Sequence, residues 1–294
     1  TLEYLKWLGC SHVWYTGVIR HATQESEHGC TPSHPQFVKG KAGSPYAICD
    51  YYDVNAYLAE EPANRMGEFE DLIKRSHEAG LKVIIDFVPN HVSRDYGKAG
   101  FSAEHPCLGA DDDKSVHWAA ENDFFYYPGQ KLQLPSEAPK GVEPYEECPA
   151  MATGNNCFTP NPGVNDWYET IKINYSDFHT GTWDKMLDIV LFWASKGVDG
   201  EDLADISIAG CQEPLIMGKD NANTTNSWLN LPKILEMTLT GGISTVTGER
   251  LADTKAASLE NIQEEFYKNV QRFADAMAEA AVDCGYRTTI AGGL

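Results

Sequence analysis

An α/β fold class follows from three stretches of the sequence. In Lys82–His91, the residues Val83, Ile84 and Ile85 are apolar and β-branched with no polar alternation, as in a strand covered on both faces of a parallel sheet. That strand runs out into polar residues, Asp86, Asn90 and His91. Before it, Phe69, Leu72, Ile73 and Ala79 recur at helical spacing and Gly80 supplies the stop. The same order occurs at the start of the chain, where Leu2, Leu5 and Leu8 form a stripe closed by Gly9 and His12–Tyr15 reads as a short buried strand. Helix, glycine and strand with a polar strand end is the pattern of a (β/α) barrel, whose chemistry sits on the carboxyl rim.

The remaining elements follow in order. Residues 17–45 are polar and rich in Gly and Pro, which suits a rim loop, and the first long helix is expected over Gly67–Ala79. From Val92 to about Asn165 the chain is irregular and aromatic, with Trp118, Phe124, Phe125, Tyr126 and Tyr127. A structureless loop of that length is improbable in a compact domain, so an inserted subdomain is expected, its aromatics serving a groove or its own core. A helix over Trp183–Lys196 follows, with Met186, Leu187, Ile189, Val190 and Trp193 inward and Gly197 as its stop, and Val198, Asp199 and Gly200 open the next strand. Near the end, Leu259, Ile262, Phe266, Val270, Phe273 and Met277 predict an amphipathic helix from Ser258 to about Val282.

The chain has 294 residues, 42% of them hydrophobic, with seven Trp, 14 Tyr and 11 Phe, enough for a sizeable core in one or two domains. A formal charge of −20 opposes phosphate backbones, so no nucleic-acid partner is expected. With no apolar run of membrane-spanning length, no membrane partner is expected either. Thr1, Leu2 and Glu3 lead straight into helix, so no signal peptide is read in the chain as given, and cytoplasm and periplasm both stay open. Eight cysteines at 10, 30, 49, 107, 148, 157, 211 and 284 show no zinc spacing; reduced thiols are expected, with Cys148 and Cys157 the pair able to close a loop disulfide.

The run Asp86-x-Val88-x-Asn90-His91 resembles the first signature of the α-amylase family of glycoside hydrolases, carried on the third strand of their barrel. The flanks agree: the family shows a helix ending in Leu-Gly before its second strand, as Leu8 and Gly9 do here. It also has a tyrosine with an aspartate four residues on, as in Tyr46 and Asp50. The resemblance runs from Thr1 to Gly200 and implies a partial TIM-type barrel lacking its first strand. Residues 1–91 would be its first part, 92–165 a subdomain inserted after the third strand, and 166–200 a helix and the start of the fourth strand. It further implies an α-glucan or maltooligosaccharide partner, with Tyr46 stacking on a sugar face, Asp86 bracing the site and His91 donating to a sugar hydroxyl. Asn90 would be a calcium ligand through its amide carbonyl; by residue type alone it equally suits a turn cap, and Tyr46 an ordinary rim aromatic.

The likeness breaks at the fourth strand. There the family has glycine, an aromatic, arginine, a variable residue and the nucleophilic aspartate, one of two carboxylates about 5–5.5 Å apart in a retaining glycosidase. Gly200 is followed instead by Glu201, Asp202, Leu203 and Ala204, so an acid stands at the arginine position and alanine at that of the nucleophile. Asp205 is one residue late, which on a strand reverses the face. No later stretch reads as further βα units, and Glu249 reads as a solvated loop acid, so hydrolysis is expected to be lost.

Residues 201–294 read as a mixed, mainly helical segment. Gly210-Cys211-Gln212-Glu213-Pro214 and the stretch from Asn226 to Gly242 resemble the cysteine loop and following helix of glycyl radical enzymes of the pyruvate formate-lyase and hydroxyphenylacetate decarboxylase group. That resemblance implies a thiyl radical at Cys211 and proton handling by Glu213. The radical-storing glycine loop of that group does not occur before Leu294, and an inert buried thiol fits Cys211 as well. The alternatives are therefore a radical lyase or decarboxylase using Cys211 and Glu213, and a non-catalytic hybrid of two unrelated genes that at most binds sugar.

Overall fold

A computed structural model describes residues 1–25, 31–98, 105, 107–175, 181–203 and 289–292. The chain runs through α1 (Leu2–Trp7), β1 (His12–Tyr15), β2 (Ile19–His21), β3 (Ile48–Val54), α2 (Arg65–Glu78), β4 (Lys82–Phe87) and β5 (His91–Ser93). It continues with β6 (Tyr126–Tyr127), β7 (Ala150–Met151), β8 (Thr170–Lys172), α3 (Gly181–Ser195), β9 (Gly200–Leu203) and β10 (Thr289–Gly292). It divides into two compact units at Cys107/Leu108 and again at Asp184/Lys185.

The first unit is built on a parallel sheet of order β1-β4-β9-β10. Among the described residues this sheet is not closed into a ring. Val83, Ile85 and Phe87, on one face of β4, are fully buried, while Ile84 on the other face is only half-buried, so the expected burial on both faces is met in part. β1 differs from expectation: its residues alternate between exposed and half-buried, because successive side chains take opposite faces and the Tyr15 face packs on α2, and Trp14 keeps 53% of its surface. β10 is a parallel strand within the segment read as mixed and mainly helical. Thr289 lies opposite Gly200 and Gly292 opposite Leu203. The helix expected over 258–282, together with Ala204, Asp205, Cys211, Glu213 and Glu249, lies outside the described residues.

α2 begins two residues before the expected start and ends where Gly80 adopts φ +76°, its carbonyl accepting from Lys6 Nζ of α1 at 2.8 Å. Phe69, Ile73 and Ser76 form its inner face; Tyr15 of β1 meets Phe69 edge-to-face and shares a 3.0 Å hydrogen bond with Ser76. From α3, Met186, Ile189, Val190 and Trp193 are buried as their spacing predicts. Asp199, just before β9, accepts from the Val83 amide at 2.9 Å and pairs with His77 at 2.7 Å, fixing the end of α2 against β4 and β9.

Residues 17–45 are not all loop. β2 pairs antiparallel with β3 across register shifts at Ile19/Arg20 and Arg20/His21. The following turn requires glycine at 43, where φ is +67° and an added Cβ would come within 1.8 Å of the Ala22 carbonyl oxygen. Asp53 at the end of β3 accepts from Arg65 through Nε and Nη2 at 2.7 and 2.6 Å and from Arg20 at 3.4 Å.

In the second unit, β6 and β7 form an antiparallel pair over a small core of Phe125, Ala152 and Phe158. The Asp112 carboxylate gathers the amides of Asp123 and Phe124 and the Tyr126 hydroxyl, and burial pushes its pKa up. Phe124, Phe125 and Tyr126 are core residues of this unit, while Trp118 is 46% exposed. Among the described residues, no helix is long and apolar enough to cross a membrane.

Every described cysteine is a free thiol, Cys148 and Cys157 included. Cys49 donates to Asp95 Oδ1 at 3.1 Å, and burial first, then the Asp95 charge, pushes its pKa well up. Cys148 is exposed while Cys49 and Cys157 are buried. Iodoacetamide at about pH 8 is therefore expected to alkylate Cys148 and spare the other two, as read by peptide mass spectrometry. Equal labelling of Cys49 would mean that its pocket opens readily.

Candidate functional site

The strand end of β4 places the expected site residues. Asp86 is nearly buried, and both carboxylate oxygens are held: Oδ1 accepts from Trp14 Nε1 at 2.7 Å and Oδ2 from the Gly17 amide at 3.0 Å. Both donors come from β1 and the turn after it, so the neighbouring strand fixes the carboxylate in place. Charge-assisted hydrogen bonds of this kind orient an acid. Asp86 is thus held from β1 and the turn after it.

Asn90 and His91 are buried, each 2% exposed, and Asn90 Nδ2 lies 2.8 Å from His91 Nδ1. An amide NH2 is a donor, so Nδ1 is the acceptor and the ring proton is placed on Nε2. The Asn90 amide nitrogen is thus turned to its neighbour. Among the described residues, no group of three or more His, Cys, Asp or Glu side chains could hold a metal ion.

Tyr46 is half-buried in the turn before β3, its amide donating to Ser44 Oγ at 3.3 Å. Asp50, four residues on, accepts from the Tyr52 amide at 2.9 Å, and burial raises its pKa. Tyr51, which local sequence patterning does not single out, links these parts. Its hydroxyl donates to the Val88 carbonyl and, at 3.4 Å, to that of His91, while its own carbonyl accepts from Trp193 Nε1 at 2.9 Å. The β4 strand end is therefore clamped from β3 and, through β3, from α3. The signal that could have found Tyr51 is its place in an apolar run with Ile48, Cys49 and Val54, all buried.

At the fourth strand, Asp202 of β9 is the backbone register partner of Asp86. A cavity of about 1060 Å³ opens elsewhere on this unit, between β1 and α2, and its lining includes none of Tyr46, Asp86, Asn90 or His91.

Comparison with known proteins finds two kinds of relative. A model of the pyruvate formate lyase-like family, "PFL-like", matches residues 187–288, beginning inside α3. An α-glucosidase of Pediococcus pentosaceus is 24% identical over 204 residues, 68% of this chain and 28% of that protein. A probable oligo-1,6-glucosidase 2 of Bacillus subtilis is 24% identical over 229 residues, 76% of this chain and 32% of that protein. Among solved structures, an α-amylase of Lactobacillus plantarum aligns with TM-score 0.39 at 23% identity, over 70% of this chain and 33% of its own. The trehalulose synthase MutB of Pseudomonas mesoacidophila aligns with TM-score 0.47 at 16% identity, over 99% of this chain and 39% of its own. The chain spans about three tenths of the length of the curated relatives it matches first. A segment similar to the α-amylase family and a segment similar to glycyl radical enzymes are thus both present, as the two motif sets imply.

Proposed function

We propose that this chain carries one wall of an α-glucan site of the α-amylase type, binding maltooligosaccharide through Tyr46, Asp86 and His91 without cleaving it. The observation that carries the reading is the β4 strand end, where an Asp86 held by two donors stands close in sequence to the buried Asn90 and His91. Tyr46 supplies the aromatic plane on which a sugar's C–H face packs. Cleavage is lost for a chemical reason: retaining hydrolysis needs an attacking carboxylate, and the chain has Ala204 there. The family's arginine position holds Asp202, so the cation of that position is replaced by an acid.

Calcium belongs to this proposal through the Asn90 carbonyl. It would have to draw its other oxygens from backbone carbonyls or from residues outside those described, so no step of the chemistry depends on it.

Titration of the whole chain with maltotetraose, followed calorimetrically and by reducing-sugar assay, tests the reading. Binding with no released sugar is expected, and His91→Ala should weaken it about tenfold, the worth of one good hydrogen bond. Sugar release would overturn the missing nucleophile, and unchanged affinity in the variant would overturn the role of His91. The match to the pyruvate formate lyase-like model favours a second reading, a fragment of a radical lyase or decarboxylase using Cys211 and Glu213. Its test is a glycyl radical signal after anaerobic treatment with an activating enzyme.

A further inference from the structure

β4 ends at Phe87, which still has a register partner in β9, and β5 begins at His91. Val88, Pro89 and Asn90 carry the chain across the turn between them. Val88 and His91 are both buried, and a buried carbonyl at such a turn needs a donor. Tyr51 of β3 supplies one to both ends: its hydroxyl donates to the Val88 carbonyl and, at 3.4 Å, to that of His91. One oxygen within reach of both carbonyls ties the start of the turn to its finish.

The tether is stiff. Tyr51 is fully buried, its ring meets Phe87 and Tyr96 edge-to-face at 6.2 and 5.8 Å, and its carbonyl accepts from Trp193 Nε1 at 2.9 Å. A ring packed on its edges and bonded from behind leaves the hydroxyl little freedom to follow a moving turn. Asp86, on the strand that enters the turn, is held separately by Trp14 and Gly17. The carboxylate and the histidine backbone are therefore fixed by different donors, one set from β1 and its turn, the other from β3. Having no exposed surface, Tyr51 cannot touch a sugar itself.

We propose that Tyr51 is a positioning residue of the rim: its hydroxyl sets the place of His91 relative to Asp86, and with it the affinity for an α-glucan. The inference rests on the sugar reading for its ligand, while its geometric part is read without one.

The test uses the whole chain with isotope-labelled histidine. The His91 ring resonance, identified by its loss in His91→Ala, should shift in Tyr51→Phe while those of His12, His34 and His117 stay. Ile73→Val, a core change in α2, should leave the His91 resonance in place. Tyr51→Phe should weaken maltotetraose binding about three- to tenfold. The double variant Tyr51→Phe, His91→Ala should bind no more weakly than His91→Ala alone, because the hydroxyl acts through the histidine, whereas a merely structural role would weaken both backgrounds alike. If Tyr51→Phe does not fold, Trp193→Phe, which loosens Tyr51 from behind and keeps its hydroxyl, should move resonance and affinity in the same direction. The proposal is overturned if the His91 resonance does not move, if it moves together with those of the other three, or if the two losses of affinity add. Should the parent chain not bind maltotetraose, the sugar reading and the effect on affinity fall together, and the resonance alone decides whether Tyr51 places His91.

Discussion

Replacing Trp193 with alanine is expected to destabilise the first unit by about 3–5 kcal/mol, the cost of emptying a fully buried indole site. Three losses combine. The ring is completely buried and meets Phe69 and Phe192 edge-to-face at 5.9 and 5.2 Å. Its Nε1–H is the donor to the Tyr51 carbonyl, a buried acceptor that would lose this partner. Tyr51 in turn holds the carbonyls of Val88 and His91, so the disturbance should reach the strand end that carries the candidate site. Since a domain has about 5–15 kcal/mol in all, the variant should be largely unfolded at temperatures the parent tolerates. Trp193→Phe keeps most of the packing and should cost about 1–2 kcal/mol, mainly for the carbonyl. Urea unfolding of the three proteins checks this, and an alanine variant within 1 kcal/mol of the parent would mean that the helix is not packed as described.

A second large effect is expected in alkali. Burial raises the pKa of Tyr51 and Tyr96 and, with the charge of Asp95, that of Cys49. In the unfolded chain these groups release their protons at the ordinary values, about 8.5 for thiol and 10 for phenol, while the folded chain still holds them. Between the two values the folded state binds more protons, so stability is complete below the ordinary pKa and falls as pH rises. Each group removes about 1.4 kcal/mol per pH unit once its unfolded form ionises, which makes about 4 kcal/mol per unit for the three above pH 10. Urea midpoints from about pH 8 to 11 should therefore be level at first and then drop steeply, and Tyr51→Phe should make the drop shallower. A level profile to pH 11 would show that these groups ionise in place.

Much of the first unit is legible in the sequence, because a buried face writes itself as apolar residues at strand or helix spacing. β4 reads directly from Val83, Ile84 and Ile85, and both long helices read to within two residues from their stripes and the glycines behind them. β2 was concealed because Gly and Pro crowd the turn it enters, and only the apolar residues of β3 hint at a partner. β10 was passed over because four residues, Thr289–Gly292, are too short to set a period against a helical background. The site divides in the same way. Asp86, Asn90 and His91 form a local run that can be read, whereas the Trp14 and Gly17 donors to Asp86 lie far away along the chain, and contacts at that distance leave no periodic trace. Ala204 needed no coordinates, since a missing carboxylate is visible in the letters alone.

Trp14 belongs to two surfaces at once. Its indole nitrogen orients Asp86, and its half-exposed ring borders the groove beside β1. Anything that displaces the ring from the groove side also perturbs the donor of that carboxylate, so the orientation of Asp86 depends on how the exposed side of the indole is covered.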